Sequence, residues 1–389
     1  MNVATRNSHN SGRQEGHINA VSKSSRRIVS LDYIRVLLTV SILIYHLADN
    51  YKSLFPEMTP FLNLFTNFAN GYWGPVMVTM FFMLSGIGLY YKHDKIENVN
   101  QFYYKRWKSI IPVFFIVYFV FYVLHCLSIG QIFYKDPPQT ILLTITGMDG
   151  YSGQNVPLAQ LLKCLVGGAP NGTYYLTGTW FLGPILILYL LYPIILAVFK
   201  RLDVILVVIL AVTYCLEMEF TDYVANRTIV YCLTGFVVGM VFIKYIDKLK
   251  DWRLAVICFV MVLIMYSVKL PHFDLYPHVM ATCMMIVGYN FWEYVSARVN
   301  KLNDIILKLS AISFTFFLYH LGTNKFVWLI VIPRFEIGFL EGIVISVLLD
   351  LVLSMITYAF FKWFISTKPF LKFEGRMLKI GTKRPIKVD

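Results

Sequence analysis

The chain has 389 residues, 57% of them hydrophobic and only 15% charged, with a formal net charge of +13. A soluble domain carries nearer a quarter charged residues, so this composition excludes an ordinary soluble enzyme and points to a polytopic membrane protein. The excess of Lys and Arg is dealt out between apolar runs, which speaks for membrane topology and against nucleic acid as a partner.

Residues 1–27 are polar, without an apolar core of a signal segment, and are expected to form a disordered cytoplasmic tail. Ten apolar segments follow: 31–51, 74–91, 109–129, 179–199, 204–219, 228–246, 253–269, 276–294, 309–332 and 343–364. Most approach the 20 or so residues that cross a hydrocarbon core. Most of the 35 Lys and Arg fall on one side if the segments alternate, so both termini are expected in the cytoplasm. The expected fold class is all-α, a polytopic membrane helix bundle of about ten transmembrane helices over residues 28–365. A basic cytoplasmic tail over 366–389 completes it. The six cysteines lie scattered at no metal or redox spacing and read as free thiols, and no metal is expected.

The first segment carries Arg35 and His46, eleven residues apart. At about 100° per residue the two share one helix face, roughly 16 Å apart along the axis. Asp32, Thr39 and Asp49 fall near the same stripe. An ionisable group at the bilayer centre costs about 2.5–3.5 kcal/mol on insertion scales, and two on one face mark a polar path. The second segment contains Phe81-Phe-Met-Leu-Ser85-Gly86, with Ser85 near the depth of Arg35. Its small residues serve close helix packing or leave room for a ligand. Lys105, Arg106 and Lys108 stand just before the third segment, either as ordinary inner-loop charges or as a clamp for an anionic ligand.

A long connection over 130–178 is rich in Gly and Pro and is expected to lie over the outer face of the bundle. The fourth segment opens with Thr179-Trp180-Phe-Leu and continues to Tyr189 and Pro193. The ninth contains Tyr319-His320, placing a second histidine near the depth of His46, and Lys325 is counted with Arg and His among the buried ionisable groups.

Together these pieces resemble the membrane-bound acyltransferase-3 family. Leu31-Asp32-x-x-Arg35 with His46 is similar to its first-helix signature, and Phe81-Phe82-x-x-Ser85-Gly86 to its second-helix block. Trp180-Phe-Leu with Tyr189 and Pro193 resembles its fourth-helix block, and Tyr319-His320 a late block of the family. Two departures stand out: Ser109 replaces the second of two arginines before the third helix, and Pro184 with Ile185 occupy a region that is acidic in some members. Many members also carry an extracytoplasmic esterase-like domain, and with a short basic tail after the last apolar segment the chain resembles a stand-alone member.

The resemblance implies transfer of an acetyl or succinyl group from cytoplasmic acyl-coenzyme A, most simply acetyl-CoA, to a hydroxyl of a cell-surface or lipid-linked glycan at a bacterial cytoplasmic membrane. The coenzyme would then meet Arg35, Ser85, Lys105, Arg106 and Lys108. His46 would serve as general base or acylated nucleophile, oriented by Asp49, and Trp180, Tyr319 and His320 would line the acceptor pocket. The competing class is a proton-coupled exporter or flippase of a polysaccharide or its lipid-linked precursor.

Overall fold

The computed structural model describes residues 27–66, 72–129, 179–220, 228–268 and 274–379. Of the tail expected over 1–27, residues 1–26 lie outside the described residues, as do the 130–178 connection and residues 380–389, whereas Arg27 is placed and paired with Asp32. The long helices are α1 (Val29–Leu54), α2 (Trp73–His93), α3 (Val99–Ile129), α4 (Thr179–Leu202), α5 (Val204–Phe220) and α6 (Ile229–Lys244). They continue with α7 (Trp252–Ser267), α8 (Tyr276–Ser296), α9 (Asn300–Phe326), α10 (Phe339–Ser366) and α11 (Lys368–Lys379). Short helical pieces follow α1 at Pro56–Met58 and Thr59–Thr66, and a π-helical stretch, Val327–Val331, follows α9. No strand occurs among the described residues.

Each of the ten apolar segments falls on one of α1 to α10, but two helices start well before their apolar run. α3 begins at Val99, where the Asn98 side chain accepts the Gln101 N–H at 2.9 Å, and α9 begins at Asn300. Hydropathy marks where a helix meets apolar surroundings, whereas capping and backbone bonding mark where it begins. Lys105, Arg106 and Lys108 therefore stand on the first turns of α3, not in a loop. The basic tail also differs from expectation in part, since residues 368–379 form α11.

Among the described residues, α1, α2, Phe181–Leu202 of α4, the continuous helical stretch Asn300–Phe335, and α10 are long and apolar enough to cross a membrane; α6 and α7 are shorter apolar helices. Their outer faces agree. Ile205, Val208 and Val212 on α5, Val256, Ile257 and Val260 on α7, and Val344, Leu348 and Val352 on α10 are all exposed. Apolar surface on this scale is met in lipid, not in water. This is a membrane protein.

α1 sits at the centre, packed against α2, α8, α9 and α10. Its buried face runs through Leu31, Ile34, Leu38 and Ile42. α2 packs most extensively on α6, and two glycines explain how: a Cβ on Gly86 would collide with the Phe236 carbonyl, and one on Gly239 with the Met83 backbone. Small residues let the two backbones touch.

Asp203 turns the chain from α4 into α5 in the left-handed region, at φ 55°. Its carboxylate accepts hydrogen bonds from Lys244 Nζ at 2.6 Å and Tyr245 Oη at 2.5 Å, tying that turn to the end of α6.

Candidate functional site

A cavity of about 350 Å³ opens at the N-terminal end of α1, between that helix and the second half of α2. Arg27, Asp32 and Arg35 line one wall; Leu84, Gly88 and Lys92 line the other. A Cβ on Gly88 would meet nothing within 4 Å, so this glycine leaves the wall open. Asp32 is 3% exposed and organises the charges. Arg27 donates to its two oxygens at 2.6 and 2.9 Å, Arg35 Nη1 donates to Oδ1 at 2.9 Å, and Ser310 Oγ on α9 donates to Oδ1 at 2.5 Å. Two guanidiniums on one carboxylate leave a positive surplus. Lys92 adds to it and feels the charges of Arg106, Arg35 and Arg27. The cavity is thus suited to an anion, with planar donors of the kind that grip phosphate.

The basic trio on α3 divides. Arg106 does not line the cavity but lies at the end of α2, with Nη2 at 3.5 Å from His93 Nε2, its charge felt by Lys92 and its Nε buried without a protein partner. Lys108 is engaged by Glu374 of α11 at 2.6 Å, and Lys105 is exposed. Ser85 is half-buried, and its hydroxyl donates to the Phe81 carbonyl at 3.0 Å.

Deeper in the bundle, the rings of His46 on α1 and His320 on α9 lie 5.3 Å apart, tilted by 39°. His320 is 1% exposed. Its Nδ1 meets the Phe317 carbonyl, so Nδ1 carries the hydrogen and Nε2 keeps a lone pair. That Nε2 is buried without a protein partner. Tyr319 beside it shares a 2.8 Å hydrogen bond with Thr357 of α10. His46 is half-buried, with the Tyr45 ring at 5.2 Å, and Asp49 one turn on is exposed. The Trp180 side chain lies outside the described residues, although its backbone opens α4.

The cavity and the histidines are separate features. Along α1, Thr39 and Ile42 intervene; both are buried, and the Thr39 hydroxyl is bonded to the Arg35 carbonyl at 2.8 Å. Along α2, Phe81 stands one turn beyond Leu84 and meets Phe181 of α4 and Phe317 of α9 at 6.0 and 5.6 Å. Phe317 in turn lies 5.0 Å from the His320 ring. This aromatic cluster separates the basic cavity from the imidazole pair.

Two residues gain a role only from the structure. The sequence puts Asp32 on the stripe without a task, and the structure makes it the counter-charge for both arginines. Asp350 in α10 is 0% exposed, with Thr323 Oγ1 donating to its Oδ1 at 2.6 Å and its Oδ2 without a protein partner. An acid inside an apolar run with Ser346 and Ser354 four residues to either side was the available signal. Conversely, Lys325 is exposed, contrary to the expectation of a buried charge. Thr323 and Asn324 occupy the inward face, and the next residue is rotated about 100° away from it.

The family model for the acyltransferase domain of the acyltransferase-3 family matches residues 28–366. No match is found among curated proteins or among solved structures.

Proposed function

Because the chain belongs to the acyltransferase-3 family, and acyl transfer in a membrane is therefore its coarse activity, we propose that it is an O-acyltransferase. It moves an acetyl or succinyl group from cytoplasmic acyl-coenzyme A to a hydroxyl of a cell-surface or lipid-linked glycan. The observation that carries this reading is the pair of imidazoles, His46 and His320, inside a helix bundle whose basic cavity opens on the same central helix. In this reading ten helices cross a bacterial cytoplasmic membrane with both termini inside, and the cavity faces the cytosol.

The coenzyme phosphates bind against Arg35, Lys92 and Arg106, with Lys105 and Lys108 at the rim. Asp32 fixes the Arg35 fork, so little ordering remains to be done when the anion arrives. The pantetheine arm runs past Gly88 and Ser85 and displaces the Phe81, Phe181 and Phe317 cluster to bring the thioester to the histidines. His46 takes the proton of the acceptor hydroxyl as its oxygen attacks the thioester carbon, or is itself acylated first. Asp49 orients His46 from the outer side. His320, Tyr319 and Trp180 line the acceptor pocket.

The test is transfer of label from radiolabelled acetyl-CoA to glycan in membranes carrying the protein. Mass spectrometry of surface polysaccharide with and without the gene should then differ by one acyl group. The exporter reading draws support from the buried Asp350, since intramembrane acids serve proton-coupled transport. It requires that deletion strand unmodified polymer inside the cell, with no labelled product in the membrane assay.

A further inference from the structure

Asp350 has no part in the mechanism above, yet it is the most deeply placed acid among the described residues. It belongs to a continuous seam. Ser346, Asp350, Ser354 and Thr357 recur on one face of α10, and all four are buried, the first three completely. The opposite face of the same helix, at Val344, Leu348, Val352 and Met355, is exposed to lipid. α10 therefore turns its polar stripe inward against α9, where Tyr319, His320, Thr323 and Asn324 are also buried.

The seam is rich in polar atoms that find no protein partner. On α10, Ser346 Oγ, Asp350 Oδ2 and Ser354 Oγ are buried in this condition, and so are Asn324 Oδ1 and His320 Nε2 on the side of α9 that meets α1. Packing between two membrane helices calls for small apolar residues or fully paired polar ones, and orphaned polar atoms are costly. Unpaired hydroxyls one turn to either side of a carboxyl with an unpaired oxygen are the setting in which internal water bridges polar groups. Among the described residues no Lys or Arg lies within ion-pair distance of Asp350. Tyr319 of α9 is the titratable group that feels Asp350, and His320, next to it on α9 and one turn before Thr323, carries the line on to His46 of α1.

We propose that the α9–α10 seam, centred on Asp350, is a proton-holding site that serves the His46–His320 pair. This rests on the acyl-transfer reading and extends it. When the acceptor oxygen bonds to the thioester carbon, its proton passes to an imidazole. Asp350, buried with no cation beside it, holds its own carboxyl proton at rest. When the carbon–sulfur bond breaks, that proton passes through the seam hydroxyls and bridging water, by way of His320 Nε2, to the coenzyme thiolate, and the proton held on the imidazole then refills Asp350. Acceptor hydroxyl and thioester become ester and thiol, Asp350 and both imidazoles return to their starting state, and no other reactant is consumed. Thr323, hydrogen-bonded to Asp350 Oδ1 one turn beyond Tyr319, holds the acid in register. Asp350 acts through the histidines and is a positioning and proton-holding residue, not a catalytic one.

The test uses membranes carrying the full chain and radiolabelled acetyl-CoA, with incorporation into the membrane glycan fraction followed between about pH 5 and 8, where histidine titrates. Asp350→Asn keeps the size and the hydrogen bond to Thr323 but cannot hold the proton. It should lower the maximal rate by about tenfold or more, leave the KM for acetyl-CoA unchanged, and flatten the pH dependence. Asp350→Glu should restore that dependence. Wild-type rate and pH profile in Asp350→Asn would overturn the proposal. If that variant does not reach the membrane, Ser346→Ala and Ser354→Ala take its place. Each should slow transfer several-fold at unchanged KM, and wild-type rates in both would overturn it equally. The two readings fail differently: wild-type membranes that transfer no label end the acyl-transfer reading, whereas active wild type with an equally active Asp350→Asn ends only the seam.

Discussion

The imidazoles of His46 and His320 meet at 5.3 Å across the contact between α1 and α9, although 274 positions separate them in the chain. One ring is half-buried, and the other presents a buried Nε2 lone pair. Both should be needed for transfer. His46→Ala should abolish acyl transfer in membranes in which the protein still accumulates. His320→Gln should reduce the rate by about 10²–10⁴-fold, the span expected for loss of a positioned acid or base. Full activity in His46→Ala would remove its chemical role.

Arg35 and Asp32 form the second test. Arg35 Nη1 spans Asp32 Oδ1 at 2.9 Å and Ser310 Oγ at 3.1 Å and leaves the rest of its fork toward the cavity. Arg35→Ala should raise the KM for acyl-coenzyme A about 10- to 100-fold, the worth of a charge-assisted hydrogen bond, while the acceptor requirement changes little. A rise confined to the acceptor would place the coenzyme elsewhere. Asp32→Asn leaves two guanidiniums without their carboxylate. It should destabilise the protein by less than the roughly 3–5 kcal/mol of a fully buried pair, because Arg27 is half-exposed. Thermal melting in detergent measures the difference.

How much of this was legible beforehand follows from what sequence encodes locally. The ten apolar runs and the shared face of Arg35 and His46 are periodic features, and the helices fall where those features put them. The meeting of His46 with His320 was approached only through depth, since which helices become neighbours is a property of the whole bundle. Asp350 leaves little trace in the sequence, because a single acid in a long apolar helix barely changes its hydropathy. Its importance appears only when α9 and α10 are seen to bury the same stripe. Lys108 carries two readings in the sequence, an ordinary inner-loop charge or a clamp for an anion, and neither includes its Glu374 partner, 266 residues away on α11. Ser85-Gly86 carried two readings, and the structure assigns Gly86 to packing.

The glycines of α2 test that division. Gly86 faces the Phe236 carbonyl so closely that a methyl group forces one backbone away from the other, whereas Gly88, two residues on, faces open space in the cavity wall. Gly86→Ala should cost at least the roughly 1–3 kcal/mol of an overpacked core and lower the amount of folded protein. Gly88→Leu should leave melting nearly unchanged and raise the KM for acyl-coenzyme A by filling the cavity. If Gly88→Leu binds donor as the wild type does, the cavity is not the donor site.

The turn at Asp203 gives a prediction for acid stability. Burial disfavours its carboxylate, but hydrogen bonds from Lys244 and Tyr245 outweigh that and hold it below the usual carboxylate range. A depressed carboxyl stabilises the folded state fully above its unfolded value, near pH 4, and loses that contribution as pH falls through the lower folded value. Asp203→Asn isolates the charge, because Asn also tolerates the left-handed backbone at φ 55°. Both partners are about one-third exposed, so the variant should be less stable at neutral pH by no more than about 1 kcal/mol. The gap in melting temperature should close as the pH is lowered below about 4, where the wild-type carboxyl also becomes neutral. A gap that stays constant from neutral to acid pH would mean that turn geometry, and not the ion pair with Lys244, sets the stability of the α4–α5 connection.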